Sequence, residues 1–194
     1  MTKSIDFYFD FISPYSYLAH KKIKIIKKKR DINFNYKPVL VGGLQNLQGI
    51  TAPAFVTPKL KHMISDCNLI AKKNNLDFTW NSNFPINSLN IMRGYLFVNN
   101  NVKDLYLNLL FEAYWEDNQD ISNKEVLITL IEKCKIDFDI FLEGINNKNI
   151  KDELKNITTE AYNKEIFGVP TFIVNNKIYW GHDRLEFALD EYSK

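Results

Sequence analysis

Residues Ile5 to Phe11 read Ile, Asp, Phe, Tyr, Phe, Asp, Phe. This period-2 alternation predicts a strand with one strongly apolar face. Ser13 and Pro14 follow, a preferred N-cap residue and a favoured first helical residue, so a helix is predicted from there to about Arg30. Its apolar positions Leu18, Ala19, Ile23 and Ile26 share a face. The basic run from Lys21 to Arg30 then reads as the opposite, solvated face, with cations where the macrodipole favours them. Asn33 to Val39 alternates again around Phe34 and Tyr36. A strand, helix and strand at this spacing predict a parallel pair joined by a crossover helix.

Past Gly42 and Gly43, which read as a turn, the periodicity becomes helical over about 59–76, 87–99, 102–117, 122–134 and 148–166. Ser122 and Glu125 have the spacing of a capping box for the fourth of these. Thr171 to Val174 and Lys177 to Trp180 flank Asn175 and Asn176, a two-residue hairpin turn, because Asn tolerates positive φ. A last helix is predicted from Asp183, with Asp183 and Glu186 as its capping box. The order is that of an α/β, thioredoxin-like domain built from 1–50 and 155–194, with 51–154 as an all-helical insertion domain.

Composition narrows the function. The chain has 194 residues, 45% apolar and 25% charged, which excludes a disordered tail or a membrane-embedded bundle. A formal charge of +2 is too balanced to imply nucleic acid as a partner. Asp6 and Asp10 interrupt the apolar stretch at the N-terminus, so neither a signal peptide nor a membrane span is expected. Cys67 and Cys134 lie far apart without CxxC spacing, which favours inert buried thiols in a reducing, cytoplasmic setting. His20, His62 and His182 share no ligand spacing, so no metal is expected. Gly42-Gly43 lacks the residues that follow in a nucleotide loop.

Three segments carry candidate chemistry. Ser13-Pro14-Tyr15-Ser16 sits at the start of the first helix, where free N–H groups and the macrodipole stabilise a thiolate. A hydroxyl there cannot exchange disulfides, but it can donate to a sulfur anion brought by a cofactor. Ser13 as a plain N-cap is the simpler reading. Gly168-Val169-Pro170-Thr171 precedes the hairpin; a cis proline there would turn the preceding backbone outward, and an edge-strand proline is the alternative. Trp180-Gly181-His182-Asp183-Arg184 closes the set, with capping as the alternative for Asp183. Tyr15, Tyr17, Phe55, Trp80 and Trp115 read as core or pocket wall.

Together FYFDFISPYSYLA, FGVPTFIV and YWGHDRLEF resemble the family of 2-hydroxychromene-2-carboxylate isomerases and kappa-class glutathione transferases. The resemblance runs over essentially the whole chain, including Pro85-Ile86-Asn87-Ser88-Leu89 and Met92-Arg93 in the helical insert. It implies glutathione as cofactor and a homodimer. It makes Ser13 the catalytic group on the glutathione thiolate, Val169 before a cis Pro170 the backbone partner of the cysteinyl unit, and His182 and Asp183 the holders of the γ-glutamyl end. Ile50 or Thr51 stands where the family often has Asn, so Lys59 or Lys61 is expected to meet the glycine end instead. Tyr15, Asn87 and Arg93 are substrate candidates, Arg93 equally a structural ion pair. The implied reaction is isomerisation of an electrophilic, unsaturated keto acid by thiolate addition, bond rotation and elimination. The alternatives are a conjugating transferase and a non-catalytic thioredoxin-like module that binds glutathione or a peptide.

Overall fold

The computed structural model describes residues 3–194, so the first two positions of the expected 1–50 segment lie outside it. β1 (Ile5–Phe9), α1 (Pro14–Lys27) and β2 (Phe34–Pro38) form the expected unit, with β1 and β2 parallel and Ile5 opposite Phe34. β3 (Thr171–Val174) pairs antiparallel with β1, and β4 (Lys177–Trp180) antiparallel with β3, giving the order β2-β1-β3-β4. β1 is thus a central strand, which accounts for its density of aromatics: a strand covered on both faces has no solvent side to supply. Asn175 and Asn176, both at positive φ, make the β3–β4 turn.

Alternation sends the side chains of β1 to two cores. Ile5, Phe7 and Phe9, with Phe172 of β3, join a large aromatic cluster that continues through Phe11, Tyr106, Phe111 and Trp115 of the helical stretch. The Phe9 ring lies edge-on to Tyr95 at 5.3 Å and Phe11 tilts on Phe111 at 4.8 Å, spacings at which aromatic pairs add to simple burial. Tyr8 faces the other way, into a smaller cluster with Val39, Leu44 and Ala161. The helices between the strands are α2 (Val41–Leu47), α3 (Thr57–Lys73), α4 (Leu89–Phe97), α5 (Asn100–Trp115), α6 (Lys124–Lys133), α7 (Phe138–Asn146) and α8 (Lys148–Asn163); α9 (Leu185–Tyr192) ends the chain. None of these is long and apolar enough to cross a membrane.

Three local expectations are corrected. Gly42 and Gly43 are not a turn: they lie inside α2, whose first N–H, that of Val41, donates to the Asp10 carboxylate at 2.9 Å. Asn123, not Ser122, caps α6 by accepting from the N–H of Glu125 and Val126, while the Ser122 hydroxyl donates to Asp120. α9 starts at Leu185 after a short 3-10 turn, so Asp183 caps nothing; its carboxylate pairs with Arg184 at 2.9 Å.

Candidate active site

β1 ends at Phe9, and the turn that follows delivers Ser13 to the N-terminus of α1. The Ser13 N–H donates to the Asp10 carbonyl at 3.0 Å. The Ser13 hydroxyl accepts from the Ser16 N–H at 3.1 Å, the capping bond that the Ser-Pro pair predicts. Its one proton is donated across the sheet to the Val169 carbonyl at 3.2 Å. Residues 156 positions apart thus meet through one hydroxyl. The Val169–Pro170 bond is cis, and the Pro170 carbonyl accepts from the Gly181 N–H at 2.9 Å. The Val169 N–H has no hydrogen-bond partner among the described residues. The buried Ser16 hydroxyl also has none.

Ser13 and Val169 open onto a cleft of about 1060 Å³ with walls that are mostly apolar. Tyr15, Asn87 and Lys59 line it, as do Phe55 and Trp180. Trp180 is held by Phe167, ring centroids 4.8 Å apart, and its indole nitrogen lies where a side chain at Gly168 would have to go. Asn87 accepts from the Leu89 N–H at 3.0 Å and so fixes the start of α4. Two groups that sequence reasoning passed over also line the cleft: His62 on α3, and Asp10, fully buried at its floor. Asp10 accepts from the N–H of Ile12 at 3.1 Å and of Val41, yet burial outweighs these bonds and the Ser88 hydroxyl, and raises its carboxyl to about 6. Its only signal in the sequence is a carboxylate three residues before Ser13.

The remaining sequence candidates are not among the residues that line the cleft. His182 stacks flat on Tyr15, rings 5.4 Å apart at 4°, with its buried Nδ1 unpartnered among the described residues. Burial and, after it, Lys22 keep that imidazole below the usual histidine range. Tyr15 itself donates to Asp66 at 2.8 Å, and burial with that carboxylate holds its hydroxyl protonated. Asp183 is exposed and paired as described above. Lys61 is exposed on α3 off the cleft. Arg93 lies one helical turn beyond the segment that lines the cleft and so is carried off it, with a buried, unpartnered Nε and no salt bridge among the described residues. The Cys67 thiol is buried and raised to about 12, first by burial and then by Asp66, which leaves it inert at neutral pH.

Comparison with known proteins agrees with this architecture. Residues 4–193 match the DSBA-like thioredoxin domain family. The 2-hydroxychromene-2-carboxylate isomerase of Sphingobium xenophagum is 30% identical over 189 residues, 96% of each chain. Glutathione S-transferase kappa 1 of Homo sapiens is 23% identical over 201 residues, covering 96% of this chain and 89% of that one. A solved 2-hydroxychromene-2-carboxylate isomerase superposes with a TM-score of 0.87 at 23% identity, over 96% of this chain and 92% of the other. The chain therefore belongs to the DSBA-like thioredoxin domain family, among the enzymes related to 2-hydroxychromene-2-carboxylate isomerases and kappa-class glutathione transferases.

Proposed function

We propose that the chain is a glutathione-dependent isomerase of the 2-hydroxychromene-2-carboxylate type. The observation that carries this reading is the meeting of the Ser13 hydroxyl and the Val169 backbone at one cleft, with the Val169 N–H left free. A cysteinyl unit has the complementary set: a carbonyl for the Val169 N–H, an N–H for the Val169 carbonyl, and a sulfur. Once the Val169 carbonyl takes the ligand N–H, the Ser13 proton is released from it and can turn to the sulfur while the cap to Ser16 is kept. When bound, glutathione supplies a thiolate that adds to an unsaturated carbon, permits rotation and leaves unconsumed.

The chain's own part is to ionise and hold. The N-terminus of α1 and the Ser13 hydroxyl favour a sulfur anion. The walls contributed by Phe55 and Trp180 suit a flat aromatic substrate, and Lys59 is the cation on the cleft for a carboxylate. Lacking cysteine at positions 13 and 16, the site has no disulfide chemistry.

The test is turnover of an aromatic unsaturated keto acid at substoichiometric glutathione, followed by chromatography of both compounds. Isomer formed with glutathione intact is the expected result; stoichiometric loss of glutathione into a conjugate assigns the chain to transferase chemistry instead. In Ser13→Ala the rate falls about 10–100-fold, the worth of a hydrogen bond to a charged group.

A further inference from the structure

Resting on the glutathione reading of the same cleft, we infer that Asp10 is the internal acceptor of the thiol proton. The S–H bond breaks with its electron pair left on sulfur beside Ser13, and the proton ends on an Asp10 carboxyl oxygen as an O–H bond. The reverse transfer restores the thiol when glutathione leaves. No co-reactant enters, and the net charge of the site does not change.

The placement carries the inference. Asp10 has no exposed surface to bulk solvent, lines the cleft that Ser13 lines, and precedes it by three residues. Each carboxyl oxygen uses a lone pair on one backbone N–H, from Ile12 or Val41, and keeps acceptor capacity for a proton. Around it stand the start of α1, the N-terminus of α2, the Ser88 hydroxyl ahead of α4, and the buried Tyr114 on α5. Tyr114 is the titratable group that faces it, and stays protonated; Lys59 and His62 enter the same cleft from α3. No charged side chain lies among the groups that set the Asp10 carboxyl, so its charge is met by hydrogen bonds alone, and these do not outweigh its burial. A thiolate formed at Ser13 would then share the cleft with a buried carboxylate that has no cationic partner. Two like charges in such a site resolve by holding one proton between them. The group is already poised for this, because its carboxyl titrates within reach of neutral pH.

Glutathione is titrated calorimetrically into the whole chain near neutral pH, in two buffers of different ionisation enthalpy, while the ultraviolet thiolate band is followed. S-methylglutathione, which has no thiol proton, is the reference. In the unmodified chain the thiolate band grows with no proton released to the buffer. In Asp10→Asn each thiolate formed delivers its proton to the buffer. Asn offers a single acceptor oxygen to two backbone N–H groups, so this variant can fail to fold; His62→Gln, which removes the other titratable acceptor on the cleft, should still keep the proton, and a proton released to the buffer in that variant overturns the role of Asp10. One proton released per thiolate in the unmodified chain overturns the role of Asp10 and leaves the glutathione reading standing. No thiolate band at all overturns both.

Discussion

Two buried titratable residues pull the stability of the chain in opposite directions with pH. His20 sits between the Tyr36 hydroxyl at 2.8 Å and the Asn108 side chain at 3.0 Å, and burial keeps it neutral down to about 4. Between that value and its ordinary 6.5 the unfolded chain binds the extra proton, so stability falls as pH is lowered through this window. Asp10 does the reverse: between 3.8 and about 6 the folded chain holds the extra proton, so acidification stabilises it. Each effect is about 3 kcal/mol over its window, and the two largely cancel. Denaturant unfolding at a series of pH values checks this. Relative to the unmodified chain, Asp10→Asn should lose stability more steeply on acidification, and His20→Gln should gain it. Equal slopes in all three would mean that neither group is held as described.

At the scale of elements, a close contact lies where α4 crosses α5 and α7. A Cβ on Gly94 would fall inside the Tyr106 hydroxyl and the Phe141 ring, both buried, with Tyr106 anchored to the Ile91 carbonyl at 2.8 Å. Gly94→Ala gains up to about 1 kcal/mol of helix propensity but overpacks a fixed crossing, so a net loss of about 1–3 kcal/mol is expected in chemical denaturation. Adding Phe141→Leu should return part of that loss, a coupling that a double-mutant cycle measures. The elements also separate what the sequence makes legible from what it does not. Strands β1 to β4 and α1 follow from local alternation and caps. α2 escapes because it is short, carries two glycines and takes its N-terminal partner from Asp10, 31 residues upstream. α7 escapes because Asp137-Phe138-Asp139-Ile140-Phe141 alternates like a strand, although Asp137 caps it with accepted bonds from Asp139 and Ile140. Ser13 and Val169 are readable because helix-start and strand-start chemistry is local. The positions of His182, Asp183 and Arg93 are not, since they depend on where a 3-10 turn ends and how α4 is rotated.

Across the whole molecule, the cleft draws residues from the turn after β1, the start of α1, α2, α3, the segment before α4, and β4, so a ligand that fills it ties the sheet to the helices. Glutathione at a hundredfold excess over its dissociation constant should add about 2.7 kcal/mol, which for a chain of this size raises the melting temperature by about 5–10 °C. An analogue lacking sulfur should give a smaller rise at the same concentration, and equal rises would remove the thiolate from the site. The closing hydrogen bond from Ser13 to Val169 also has a meaning for synthesis. β1 and β2 both emerge early, but the other edge of β1 stays bare until β3 is made from the far end of the chain. Until then a strand of phenylalanines presents unpaired backbone to its surroundings, the setting in which strands find wrong partners. Trimming the chain before Val169 would therefore do two things at once: it would leave Ser13 with no opposite wall, and turn a catalyst into a template for aggregation.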